Sequence, residues 1–314
     1  MKNYSIRKYT TKDFDLWNEF IAKSKNGTFL FDRNFMEYHK DRLEDFSFLI
    51  FDKEKLIAVF PANRVGEELY SHQGLTYGGI VLDKKMKLSD FVELFDVFCN
   101  YLKPNFTKIF FKEIPKIYNR CFSDELLYVL FLKNAKLIRR DTLSVIDYQC
   151  DYQISAKRKY EIRKAEKYPL EIKQSTDFSE FWNELLLVNL HEKHNTKPVH
   201  SLEEITMLQN CFPENIKQFN VYFEQKITAG TTIFETENVA HVQYIASNEL
   251  RSKTGSLDYL FDFLITKYAS EKKYFDFGIS NENQGKTLNK GLLHWKESFG
   301  ARTVTQDFYE LSLS

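Results

Sequence analysis

The chain is poor in the features that usually assign a protein to a class at sight. It has four cysteines in 314 residues, Cys99, Cys121, Cys150 and Cys211, and no CxxC spacing among them. That scatter excludes a disulfide scaffold and a cysteine zinc site and reads as reduced thiols. Neither sign of charge is in excess. The 44 Lys and Arg balance 44 Asp and Glu, and the isoelectric point is about 7.1. A generally cationic surface for DNA or RNA is therefore excluded, although a local patch is not. There is no long apolar run: the most apolar stretch, LLYVLFL, is far too short to span a bilayer. The opening MKNYSIRKYTTKDF lacks the apolar centre of a signal peptide, so a soluble, cytoplasmic protein is expected. The hydrolase elbow GxSxG, the dinucleotide fingerprint GxGxxG and the P-loop GxxxxGK[ST] do not occur.

What is present supports a large core, with 43% hydrophobic and 16% aromatic residues. The length suits one large domain or two ordinary ones. Periodicity decides for two. Strand 4–9, helix TKDFDLWNEFIAKS and a short helix at 34–42 precede strands FSFLIFD, KLIAVFPANRV and ELYSHQGLTYGGIVL. Helix LSDFVELFDVFCNYLK, strand KIFFKEI, a helix near 123–134 and a strand near 136–149 follow. The second half repeats the order, from LEIKQST and DFSEFWNELLLVNL to LNKGLLHWKESFG and RTVTQDFYELSL. A spacing of roughly 165–170 residues is too long for a solenoid and fits a duplicated domain. The turns predict antiparallel strands, and the strand-helix-strand step a parallel pair. The expected fold class is α/β (α+β), with two tandem domains at 1–150 and 151–314, each a mixed, mainly antiparallel sheet flanked by helices. A basic linker helix over 154–168 joins them.

Several residue groups are candidates for chemistry. In NELRSKTGSLD, Arg251, Lys253, Thr254, Gly255 and Ser256 precede a helix whose first free amides form an anion seat; the plainer reading is an ordinary helix start capped by Ser256. In AKRKYEIRKAEK, Lys159, Arg163 and Lys167 share a stripe flanked by Arg158 and Lys164, which is either a solvated face or a set of phosphate contacts. YSHQGLTYGG places His72, Gln73 and Tyr77 among three glycines, and LHEKHNTKPVHS gathers His191, His194 and His200. No HExxH pattern or nearby cysteine supports a metal there, so one histidine is expected to be a hydrogen-bonding or proton-transfer group and the rest to lie at the surface. Asp276, within the apolar YFDFG, needs partners if buried.

These segments resemble a known group. The element order is similar to the GNAT acyltransferase fold, and its duplication to FemAB-like acyltransferases, including those of bacterial polysaccharide gene sets. KRKYEIRKAEK, VQYIAS with TGSLDYLFDFLI, and YFDFGISNENQGKTLNKGLLHWKESFGA carry the likeness, which extends over essentially the whole chain. The resemblance implies transfer of an acyl or aminoacyl group to the amine of a nucleotide- or lipid-linked sugar, or of a peptidoglycan or polysaccharide precursor. It implies phosphate contacts at Arg163, Lys159 and Lys164, and a catalytic Lys296 that stabilises a phosphate or carbonyl, with His194, His200 or Asp276 assisting the proton. His72, Gln73, Tyr77, Tyr244, Gly278, Ser280, Asn283 and Asn289 are expected to bind substrate. RSKTGS departs from the coenzyme A loop of GNAT enzymes by one residue and one glycine. No tightly bound cofactor or metal is expected; the donor is acyl-coenzyme A or aminoacyl-tRNA, with tRNA less favoured by the balanced charge. The rival reading is a non-catalytic tandem module that binds a nucleotide-linked glycan or a protein partner.

Overall fold

Turns too short for a crossover join the consecutive strands at 48–60 and at 216–247, and those strands pair antiparallel. The structure, a computed structural model, describes residues 3–194 and 196–313, with the side chains of residues 192–194 also outside the description. The chain divides into two units: Met1–Asp141 with Asn283–Lys286 and Thr305–Ser314, and Thr142–Glu282 with Thr287–Val304.

In the first unit β1 (Tyr4–Lys8) leads to α1 (Phe14–Lys23) and the single turn α2 (Arg33–Met36). β2 (Glu44–Asp45), β3 (Phe48–Asp52), β4 (Lys55–Phe60), β5 (Asn63–Val65), β6 (Glu68–Tyr70) and β7 (Val81–Leu82) follow. α3 (Leu88–Leu102), β8 (Lys108–Lys112), α4 (Glu125–Leu132) and β9 (Lys136–Asp147) complete the first half of the sequence. The order β1-β3-β4-β7 is antiparallel throughout, whereas β6 lies parallel to β8. The stretch from Glu68 to Leu82, expected as one strand, is two. Between them His72 takes φ 61° and Gly79 φ 97°, values no strand accommodates. α3 buries Phe91, Leu94, Phe95, Phe98 and Leu102 at helical spacing, each worth about 1.5–3 kcal/mol against the core.

The second unit runs α5 (Ala156–Ala165), β10 (Leu170–Ser175), a π-helix (Phe181–Leu186) continuing as α6 (Leu187–His194), and α7 (Leu202–Cys211). Then come β11 (Ile216–Phe223), β12 (Lys226–Glu235), β13 (Val239–Ser247), the turn α8 (Arg251–Thr254) and α9 (Ser256–Tyr268). β14 (Tyr274–Ile279), the ribbon β15 (Asn281–Glu282) and β16 (Thr287–Leu288), α10 (Lys290–Glu297) and β17 (Arg302–Ser312) end the chain. β10 to β13 form an antiparallel meander, and β13 to β14, across α9, is the parallel step. α9 lays Leu257, Leu260, Phe261, Leu264, Ile265 and Tyr268 into the core with Phe275, Phe277 and Phe299.

The last strand of each half serves the other unit. Leu143–Asp147 of β9 pairs with β14 inside the second unit, and Phe308–Ser312 of β17 pairs with β8 inside the first. The units therefore differ from the contiguous spans 1–150 and 151–314. Hydrophobic periodicity identifies a strand but carries no information about which edge it joins.

Candidate functional site

β13 and β14 are bonded only where Val239–His241 meet Tyr274–Asp276. Beyond that point β13 stays on β12 as far as Ser247, whereas β14 bulges: its register on β9 shifts between Asp276 and Ile279, with Gly278 at φ 72°. Where the two parallel strands diverge, a cleft of about 760 Å³ opens within the second unit. Its walls are Ile245, Ala246 and Ser247 of β13, Leu186 and Asn189 at the π-helix junction, Lys157, Arg158 and Glu161 of α5, and Leu257 and Asp258 of α9. Ile279 to Glu282, Asn289, Leu292 and Trp295 close the far side.

One end of the cleft suits an anion. Arg251 lines it, held only by a 3.4 Å bond from Nη1 to Ser247 Oγ. The amide of Ser256 donates to Thr254 Oγ1, but those of Leu257 and Asp258, the next two of α9, have no acceptor among the described residues. The Asp258 carboxylate beside them is already spent, bonded to Arg158 Nη1 and accepting Trp295 Nε1–H at 3.0 Å. Arg158 also donates to Ser298 Oγ at 3.0 Å and lies 4.9 Å from the Phe299 ring, so this clasp ties α5, α9 and α10 together. Gly255 has a packing reason as well as φ 69°: a Cβ there would lie 2.9 Å from Ala165 Cβ on α5.

Next to the Ile279–Ser280 wall lies a buried polar group. Asp276 is fully buried; its Oδ2 meets His241 Nδ1 at 2.9 Å, and its Oδ1 accepts the Gly278 amide at 2.7 Å. Lys296 comes in from α10 and donates to the carbonyls of Gly278 (3.0 Å) and Ile279 (2.6 Å). Burial pushes its ammonium down to about 8, with Asp276 acting in the other direction. Ser280, next along, is 2% exposed, lines the cleft, and its Oγ has no hydrogen-bond partner among the described residues.

Of the expected residues, Arg251, Gly255, Ser280 and Asn289 line the cleft, whereas Lys296, Asp276 and Gly278 do not line it and are bonded to one another next to the Ile279–Ser280 wall. Asn289 caps α10, its Oδ1 accepting the Leu292 amide. Lys253 turns to the Phe223 ring, Thr254 Oγ1 bonds the Leu250 carbonyl, and Ser256 is not a cap. The α8 turn comes first and Gly255 occupies the cap position, which leaves Ser256 inside the helix. Lys159, Arg163 and Lys164 do not line the cleft. Ile162 and Ala165 are the buried stripe of α5, and Lys157, Arg158 and Glu161 occupy the flank that faces the cleft. His200 pairs with Tyr244: its Nδ1 lies 2.5 Å from the phenol oxygen, which also accepts the His200 amide at 3.2 Å, and burial pushes that phenol up to about 12. His194 lies outside the described side chains, and Asn283 is a turn residue at φ 51°. His72, Gln73 and Tyr77 belong to the first unit. There Gln73 exchanges hydrogen bonds with Asn63, Tyr77 donates to Thr28 Oγ1, and burial pushes His72 down to about 3. Sequence reasoning missed His241, Asp258 and Trp295. The only signal was a charged or polar residue recurring inside an otherwise apolar strand or helix stripe.

The two units define the class: this is a tandem GNAT fold. No protein-family model matches the sequence, and no curated protein sequence does. Solved structures do match it in fold. FemX matches with a TM-score of 0.67 at 11% identity over 96% of both chains. L-PGS from Bacillus licheniformis matches with 0.58 at 12% identity, over 96% of this chain and 91% of that one. A tandem GNAT protein from the clavulanic acid biosynthesis pathway matches with 0.53 at 8% identity over 99% of each. At these identities the likeness is one of fold. Among the described residues no helix is long and apolar enough to cross a membrane.

Proposed function

We propose that this protein is an N-acyltransferase. It moves an acyl or aminoacyl group from an activated donor to the amine of a nucleotide- or lipid-linked sugar, or of a peptidoglycan or polysaccharide precursor. The observation that carries the reading is the cleft where β13 and β14 part, with an anion seat at one end and an uncharged, desolvated serine on the wall formed by β14. The fold shared with FemX and L-PGS supports it.

A coenzyme A donor fits these residues. Arg251 and the free amides of Leu257 and Asp258 suit its diphosphate, and the unpaired edge of β13 suits the amides of its arm. Bound, it supplies an acyl carbonyl activated as a thioester. The balanced charge of the chain favours such a small donor over tRNA. The protein's part is to hold the amine against the carbonyl and to exclude water, with apolar walls at Leu186, Ile245, Leu257 and Leu292. The acceptor nitrogen bonds the carbonyl carbon as the bond from carbon to the leaving atom breaks, and the amine proton leaves with that atom or to water.

The test is a mass spectrum. Protein incubated with acyl-coenzyme A donors and amino-sugar nucleotides should add one acyl mass to the sugar. Tight binding with no product from any donor would instead establish the non-catalytic module.

A further inference from the structure

We infer that Ser280 donates the hydrogen bond to the acyl carbonyl oxygen in this reaction, and that Lys296 is a positioning residue that sets Ser280 in place. The inference rests on the acyl-transfer reading. Most polar side chains around the cleft are already committed. Asn281 accepts from the amide and hydroxyl of Thr142, Asn189 donates to the Leu185 and Ser247 carbonyls, and Trp295 and Arg158 both bind Asp258. Two serines on the wall are buried. Ser247 Oγ accepts from Arg251, and Ser280 Oγ has no partner among the described residues. A buried hydroxyl left unbonded costs about 1–3 kcal/mol, a deficit that a ligand's acceptor removes. Turning χ1 toward that acceptor breaks no existing bond.

Its backbone, by contrast, is fixed on both sides. The Gly278 amide is bonded to Asp276, the Gly278 and Ile279 carbonyls to Lys296, and the Ser280 carbonyl to the Asn289 amide at 2.9 Å. A donor held this rigidly in a dry wall is the arrangement that stabilises charge developing on a carbonyl oxygen. It is a poor phosphate site, because a phosphate wants cations, and the cations that line the cleft are Lys157, Arg158 and Arg251, on α5 and α8. The Lys296 ammonium is itself spent on two carbonyls, so its effect reaches the substrate through the strand it holds. In the balanced step the acceptor N–C bond forms and the thioester C–S bond breaks. The amine gives up one proton, the sulfur leaves as a thiol or thiolate, and Ser280 keeps its own proton throughout.

The experiment compares the parent protein with Ser280→Ala and Ser280→Cys, reading kcat, KM, coenzyme A affinity and melting temperature. Both variants should melt with the parent and bind coenzyme A within about 3-fold of it, while kcat falls about 100-fold, the cost of one oxyanion donor. Ser280→Cys, which keeps the volume and has a weak donor, guards against a folding artefact in the alanine variant. Undiminished kcat, or a loss matched by equal loss of coenzyme A binding, overturns the inference and leaves acyl transfer standing. No product from the parent with any donor overturns acyl transfer itself, and this inference with it.

Discussion

Replacing Lys296 by methionine probes the buried polar group beside the cleft wall through its pH dependence. The folded ammonium titrates at about 8, against 10.5 for the free side chain, because burial disfavours its charge. Between those values the unfolded chain holds a proton that the folded one has released, so stability rises with pH across that window. The cost of burying the charge is fully present below the folded value and disappears above the unfolded one. From about pH 7.5 to about pH 9.5 this group adds about 2 kcal/mol to the parent, an order-of-magnitude figure. Lys296→Met lacks this contribution. It also leaves the Gly278 and Ile279 carbonyls without their donor, at about 1–3 kcal/mol for each buried group. Other titrating groups, Lys112 among them, are common to both proteins and cancel in the difference. Urea midpoints of parent and variant, measured every half unit of pH, should diverge as pH rises, with the parent gaining. Parallel curves would refute the burial of a titrating ammonium at this position. Turnover by the variant should also fall, since the wall that carries Ser280 is no longer tied.

Further perturbations have distinct readouts. Gly255→Ala combines a side chain at φ 69° with a Cβ 2.9 Å from Ala165, so thermal unfolding should show a loss of about 2–4 kcal/mol. Arg251→Ala should leave the melting temperature in place and raise the donor KM about 10-fold, the loss of one charge-assisted contact; an unchanged KM would remove Arg251 from the anion seat. Asp258→Ala strands the half-buried Arg158 and frees the Trp295 indole, costing about 3 kcal/mol, and the tryptophan fluorescence should shift with it. Fragments 1–150 and 151–314 each lack a closing strand supplied by the other, so circular dichroism should find each unfolded alone and structure restored on co-expression. A fragment that folds by itself contradicts the exchanged pairing.

Much of the fold was legible because it rests on local chemistry. The stripe of α9 and the apolar runs of the buried strands β11 to β13 are properties of a short window. The exchange of β9 and β17 was not legible, since an edge partner is chosen by the whole sheet. At the site, Gly278, Ser280, Asn289 and Lys296 stood out because a small polar loop breaks an apolar strand. On α5, charge marked Lys159 and Arg163, whereas the burial of Ile162 and Ala165 decides the face and places Arg158 on the cleft wall. His241 escaped notice because its meaning comes from Asp276, 35 residues away in sequence and opposite it across two strands.

Amide hydrogen exchange on the full chain, with and without coenzyme A, tests the central claim most directly, because it asks where a donor sits before any acceptor is known. Protection should be confined to peptides covering Ile245–Asp258 and Ile279–Trp295, including the amides of Leu257 and Asp258. Protection confined to the first unit, or no change in these peptides at saturating coenzyme A, would contradict the assignment of this cleft to the acyl donor.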